Sequence, residues 1–128
     1  MMKKNGIALI TAVLLMTLLA ITAFSLSAFV IERLRFTSAR ENEINAYYMA
    51  QAGVHYGIYK YRKDDAPSSG TYNLYADRKF DWSTTIVGSN LTIMSTGYCP
   101  KAGSNQIQKR LTAVYNTSTK KITSIGYQ

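Results

Sequence analysis

The sequence predicts an α+β fold in which one long N-terminal helix packs on a small antiparallel β-sheet of about four strands. The run 7–31 contains no charged residue, and beyond it apolar residues recur every three or four positions as far as Tyr61. After residue 70 the helical period disappears, and β-branched and aromatic residues dominate. With 128 residues, the chain has enough length for one hydrophobic core of ordinary size and one additional long element.

The uncharged run 7–31 is long enough to span a bilayer as a helix. A hydrocarbon core of about 30 Å requires roughly 20 apolar residues at the helical rise. The run exceeds the short apolar core of a secretory signal peptide, and no Ala-x-Ala-like site is followed by a polar mature start. A retained membrane anchor is the favoured interpretation, and a cleaved signal sequence is the alternative. Basic residues flank the run on both sides, so charge counting alone does not decide its orientation.

The segment 32–63 is predicted to continue the helix beyond the anchor. Its charged residues alternate with apolar residues at helical spacing, as on an amphipathic helix. Gly53 and Gly57 lie within it, and each costs about 1 kcal/mol in a helix interior. We therefore expect the helix backbone to pack closely against the sheet at these two positions. The alternative is that Gly53 ends or kinks the helix.

The head is predicted to begin with a loop over 63–70 and to continue as a meander. Pro, Ser, Gly and charged residues cluster in the loop. Turn formers at 88–90 and 116–118 separate the later segments. The four predicted strands are 84–87, 91–98, 107–115 and 121–127. An isolated sheet of this size needs a second layer, so one face should pack on the helix. The stretch 77–82 receives no assignment.

Composition argues against an enzyme. His55, scattered carboxylates and the single cysteine, Cys99, supply no metal-ligand spacing, nucleophile elbow or phosphate-binding glycine loop. We expect no catalytic residue, no metal and no cofactor, a packed or surface role for His55, and a buried free thiol at Cys99. The formal net charge of +8 favours contact with anionic surfaces without naming one.

The N-terminus carries a recognisable junction. Lys3-Lys4-Asn5-Gly6 followed by Ile7-Ala8-Leu9-Ile10 resembles the prepilin peptidase site of the type IV pilin family. The stretches 45–53, 91–98 and 109–115 resemble segments of PilX-like minor pilins. The resemblance implies a leader over 1–6 containing the basic residues Lys3 and Lys4, cleavage after Gly6 by a prepilin peptidase, and N-methylation of Ile7. It further implies a filament-core helix over 7–31, its continuation over 32–63 and an extracytoplasmic head over 64–128.

Thr11 departs from the family pattern. Most members carry Glu at the fifth mature position, where the family implies that the carboxylate neutralises the N-terminal amine of a neighbouring subunit. An unpaired charge in apolar surroundings costs several kcal/mol, so a neutral residue favours a subunit with no earlier neighbour. The resemblance thus implies a minor pilin or type II secretion tip pseudopilin that primes or caps a filament. The alternative is an ordinary subunit whose neighbours compensate through methylation or through hydrogen bonding of the Thr11 hydroxyl.

Two function classes remain open. The first is a structural and assembly subunit, held in the inner membrane by one span with its C-terminus outside, and later in an extracellular or periplasmic filament with other pilins. The second is a binding module in which the head acts as an adhesin or DNA receptor. The short loops favour assembly. Residues able to contact an anionic ligand are Lys101, Lys109, Arg110, Lys120 and Lys121. In the predicted meander they lie at opposite ends of the third strand.

A related feature is the series of tyrosines along the second half of the helix. With Lys60, Arg62 and Lys63 nearby, exposed tyrosines would stack bases and hold phosphates. The favoured interpretation is structural, because a tyrosine suits a helix-to-sheet interface that covers its ring and leaves its hydroxyl in water.

Overall fold

The computed structural model describes residues 2–75, 77–100 and 106–128, with side chains from Gly6 onward. One helix, α1 (Met2–Asp64), precedes five strands. They are β1 (Ser69–Tyr75), β2 (Arg78–Val87), β3 (Asn90–Cys99), β4 (Ile107–Asn116) and β5 (Lys121–Tyr127). All neighbouring pairs are antiparallel, and the strands lie in chain order in a single sheet. The predicted α+β fold, with one long helix and an antiparallel meander, is confirmed.

The chain divides into two compact units, the first ending at Ser38 and the second running from Ala39 to Gln128. The first unit is the N-terminal part of α1. Its large apolar side chains are exposed, Phe24 being the extreme at 78%. The helix is long and apolar enough here to cross a membrane.

Hydroxyl side chains within the uncharged run are satisfied by their own helix. Thr17 donates to the carbonyl oxygen of Leu14 at 2.9 Å, and Ser25 donates to that of Ile21 at 2.9 Å. Thr11, Thr22 and Ser27 form equivalent bonds to carbonyls three or four residues earlier. Such bonds let a polar side chain enter an apolar environment without an unpaired donor. The few polar residues are therefore compatible with the predicted anchor.

The second unit is a two-layer structure of the later part of α1 on one face of the sheet. The helix contributes Ala46, Met49, Ala50 and Val54 to the core. The central strands contribute the side chains that alternate toward the helix, namely Phe80, Trp82, Leu91, Ile93, Cys99, Leu111, Ala113 and Tyr115. Burying each large apolar side chain is worth about 1.5–3 kcal/mol, so this layer contact accounts for the folding of the head.

Small residues set the spacing between the two layers. A Cβ on Gly57 would lie 2.9 Å from Cγ2 of Ile93, and one on Gly53 would collide with the Ser95 side chain. On the sheet side, a Cβ on Gly97 would overlap the backbone of Ala46 and Ala50. The expected close packing at Gly53 and Gly57 is confirmed. The alternative of a helix end at Gly53 is wrong, because α1 continues to Asp64.

The strand prediction needs two corrections. The sheet has five strands instead of about four, because β1 (Ser69–Tyr75) forms an additional edge strand, and β2 begins at Arg78 instead of residue 84. In β2, Phe80 and Trp82 face the helix while Lys79 and Asp81 alternate outward. This alternation of polar and apolar residues is the period of a half-buried strand, and the prediction missed it. β1 is exposed along its whole length, so it carries no buried apolar run to reveal it.

The loop between α1 and β1 is shorter than the predicted loop over 63–70, because α1 ends at Asp64 and β1 begins at Ser69. The later turns lie where the turn-forming residues predicted them. Gly88 has φ 61° and occupies the first central position of the two-residue turn between β2 and β3, as a type II′ turn requires. In the β4–β5 turn, Asn116 Oδ1 accepts hydrogen bonds from the amides of Ser118 at 3.0 Å and Thr119 at 2.8 Å. These local bonds define the register of the last hairpin.

Candidate functional site

The predicted cleavage junction lies near the beginning of α1. Gly6 has no heavy atom within 4 Å of the position that a Cβ would take, and Ile7 is 65% exposed. Lys3 and Lys4 belong to the same helix, and their side chains lie outside the described ones. Nothing in the described part of the chain packs around Gly6. A protease binds extended backbone, so cleavage would require this helical turn to open.

Thr11 uses its hydroxyl within the helix. Its Oγ1 donates to the carbonyl oxygens of Ile7 at 3.1 Å and Ala8 at 2.9 Å. The proton is therefore shared between two backbone acceptors at the predicted mature N-terminus, and the oxygen keeps its capacity to accept. Because Thr is neutral, this position supplies no negative charge to a neighbouring amine.

A groove lies between α1 and the ends of β4 and β5. It has a volume of about 420 Å³, and its lining includes Ile44, Tyr47, Leu111 and Tyr127 together with the charged residues Glu43 and Lys109. The rings of Tyr47 and Tyr127 stack with centroids 6.0 Å apart and an angle of 20° between their planes. Hydrogen bonding to Tyr127 is the main cause that raises the pKa of Tyr47. Tyr47 therefore stays neutral at physiological pH, and the stacked pair fastens the last strand to the helix.

An ion pair forms part of the lining of this groove. Nζ of Lys109 lies 2.6 Å from Oε1 of Glu43. The hydrogen bond from Lys109, followed by its charge, lowers the pKa of Glu43 below the usual value of 4.5. Lys109 is one of the cations predicted to contact an anionic ligand, and its pairing with Glu43 was not predictable, because no local pattern links residues so far apart in the chain.

The basic residues proposed for an anionic ligand do not come together. Lys109 and Arg110 lie at the start of β4, whereas Lys120 and Lys121 lie beyond its other end, at the turn into β5. Lys101 is outside the described residues. Among the four that are described, Lys109 already has a carboxylate partner. The structure thus separates them as the predicted meander implied.

The helix tyrosines divide into packed and exposed groups. Tyr47 and Tyr61 pack against the main core, and Tyr56 packs against Trp82 with ring centroids 5.4 Å apart. Tyr48 and Tyr59 are each 57% exposed. Most of the series therefore serves the helix-to-sheet interface, which leaves two separate rings on the described surface of the helix.

The remaining reactive side chains show structural environments. Cys99 is 2% exposed, its Sγ donates weakly to Oδ1 of Asn42 at 3.6 Å, and burial raises its pKa. The expected buried free thiol is confirmed. His55 is exposed on the outer side of α1 and lines a shallow depression with Tyr59 and Arg62. Among residues 2–75, 77–100 and 106–128, no group of three or more His, Cys, Asp or Glu side chains has metal-binding geometry.

These features define the class of the protein by its layout. A long apolar N-terminal helix, whose later part packs on an antiparallel sheet of five strands, matches a pilin-like fold. Comparison with protein-family models, with curated proteins and with solved structures finds no match. The layout and the residues themselves therefore carry the functional argument.

Proposed function

We propose that this protein is a structural and assembly subunit of a type IV pilus or a type II secretion pseudopilus. It belongs to the minor class that primes or caps the filament. The observation that carries the proposal is the uncharged helical run 7–31, whose apolar side chains are exposed while the later part of α1 is packed on the sheet.

Such a surface requires an apolar environment. Each large apolar side chain gains about 1.5–3 kcal/mol when it leaves water, and the run displays many of them. Lipid provides that environment first, as a single inner-membrane span with the head outside. Other pilin helices provide it later, since close van der Waals packing replaces lipid contacts at little cost. The same helix is thus an anchor before assembly and a filament core afterwards.

Thr11 supports the minor role. A neutral side chain at this position removes the carboxylate that would neutralise the amine of an earlier subunit, and its hydroxyl is engaged with Ile7 and Ala8. A subunit placed first in the filament has no such amine to neutralise. The role requires no catalysis and no cofactor, and its partners are other pilins and a prepilin peptidase.

The second class, a head that acts as an adhesin or DNA receptor, receives less support. Its basic residues lie at the two ends of β4, and Lys109 is paired with Glu43. No single described surface gathers them.

Processing tests the proposal directly. The full chain would be expressed in membranes with and without a prepilin peptidase, and its intact mass measured after extraction. We expect the peptidase to remove residues 1–6 and leave an N-methylated Ile7. Gly6→Val should block processing, because a branched side chain hinders close approach to the backbone, whereas Ala12→Val inside the anchor should be processed normally. A mature chain that begins near Ser27 or Glu32 would contradict the proposal.

A further inference from the structure

The boundary of the apolar run carries an arginine between two aromatic rings. Phe29, Arg33 and Phe36 follow one another at spacings of four and three residues, so they lie on one face of α1. The guanidinium carbon of Arg33 lies 5.2 Å from the centroid of the Phe29 ring. With Glu32, these residues line a cleft of about 340 Å³. The ring covers one flat side of the guanidinium, and its N–H edge stays free to donate.

Arg33 has no anion of its own within the described chain. Salt bridges there involve Lys60, Arg78 and Lys109, and none reaches Arg33 or Arg35. Glu32 is adjacent in sequence, and adjacent helical residues do not face each other. Over 32–38, two arginines against one glutamate leave a net charge of +1. The local surface therefore favours an external negative group.

The position of Arg33 along the helix indicates which external negative group it can reach. The uncharged run ends at Ile31, so Arg33 lies about 3 Å further along the axis at the helical rise. If 7–31 spans the hydrocarbon core, Arg33 lies at the level of the phospholipid headgroups, with its guanidinium over the Phe29 ring. Lys and Arg are usually enriched on the cytoplasmic side of a membrane. An arginine on the outer side is therefore explained best by a specific negatively charged partner.

We propose that Arg33, supported by Phe29 and Phe36, binds the phosphate of an anionic phospholipid in the outer leaflet. The planar guanidinium donates two parallel N–H bonds to phosphate oxygens, and Arg35 adds long-range attraction. The contact sets the depth of the anchor and has to break when the subunit leaves the bilayer. This inference rests on the membrane-spanning part of the proposed function and does not depend on cleavage at Gly6.

Lipid retention by the full chain tests the inference. The protein would be reconstituted into vesicles containing equal amounts of phosphatidylglycerol and phosphatidylcholine and extracted with mild detergent. Native mass spectrometry would then count the lipids that remain bound. The wild type should retain phosphatidylglycerol in preference to phosphatidylcholine. Arg33→Gln should lower that retention about fivefold, as expected for one arginine near an anionic leaflet.

Two variants separate specific binding from general charge. Arg33→Lys keeps the charge and loses the planar fork, so its retention should be intermediate. Arg62→Gln removes an arginine from the last turn of α1 and should behave as the wild type. Equal retention by Arg33→Gln and wild type would overturn the site and favour a carboxylate of a neighbouring subunit as the partner. Extraction of the wild type by alkaline carbonate would instead overturn the membrane anchor, and this site with it.

Discussion

At the scale of single residues, glycine determines how closely the two layers of the head approach. Gly97 on β3 faces the backbone of α1, and an added Cβ would overlap the Ala46 carbonyl oxygen and the Ala50 amide and lie 2.8 Å from Cβ of Met49. Two of these atoms belong to a helix backbone that cannot rotate away. Gly53 and Gly57 face side chains, which have more freedom to adjust. Gly97 is therefore the least replaceable of the three glycines.

Gly97→Ala is expected to lower the free energy of unfolding of the head by about 3 kcal/mol, the upper end of overpacking costs. Gly126→Ala is the matched control, because its Cβ would meet nothing closer than the Thr112 carbonyl oxygen at 3.9 Å, and such a change should stay within about 0.5 kcal/mol. Urea unfolding of the full chain in detergent, followed by Trp82 fluorescence, measures both. Equal midpoints for the two variants would show that the layer spacing adjusts freely.

At the scale of elements, α1 combines two kinds of helix surface in one continuous segment. Over 7–31 it is uncharged, with its few hydroxyls bonded to its own carbonyls. From Ala46 onward it presents a narrow stripe of small and apolar residues to the sheet. The first surface suits lipid or other helices on all sides, whereas the second requires one particular partner layer.

Placing a lysine inside the uncharged run 7–31, or just beyond it, tests whether this run is the membrane span. Leu19 and Leu34 are equally exposed, at 64% and 65%, but only Leu19 lies within the uncharged run. Leu19→Lys should reduce membrane integration, because a lysine at the centre of a span costs about 2.5–3.5 kcal/mol, and Leu34→Lys should have little effect. The fraction of full-length protein resistant to carbonate extraction reports the difference. Equal resistance of the two variants would exclude 7–31 as the span.

At the scale of the whole molecule, the proposed function requires the head to lie outside the cell membrane. The chain has basic residues before and after the span, so charge alone does not impose this orientation. Ser118 lies in the β4–β5 turn, exposed on the head, and a cysteine at this site would be accessible to reagents. Cys99 is buried, which keeps the natural thiol from reacting.

Labelling with a membrane-impermeant maleimide therefore tests orientation. In intact spheroplasts that lack a prepilin peptidase, Ser118→Cys should be labelled from outside, and the wild type should stay unlabelled. Lys3→Cys, in the predicted leader, should react only after the membrane is permeabilised. The reverse pattern would place the head in the cytoplasm and rule out a role in an external filament.

Prediction from sequence succeeded where the chain repeats a simple period over many residues. The helical period and the absence of charge predicted α1, and β-branched segments between turn formers predicted β3, β4 and β5. It failed at β1 and at the first half of β2. The alternation from Lys79 to Trp82 is a strand signal, but it covers only a few residues, and β1 is an exposed edge held by pairing with β2. An edge strand of this kind forms through its hydrogen bonds to the neighbouring strand, so its own sequence does not predict it.

Local composition and spacing were enough to predict the long apolar helix and the small β-rich head, both of which the structure has, whereas the junction at Gly6 stays a prediction. Which residues meet across the two layers follows from the tertiary structure. The fold joins Glu43 to Lys109 and stacks Tyr47 on Tyr127. Contacts between residues distant in the chain depend on strand order, register and helix placement, and no local pattern encodes them.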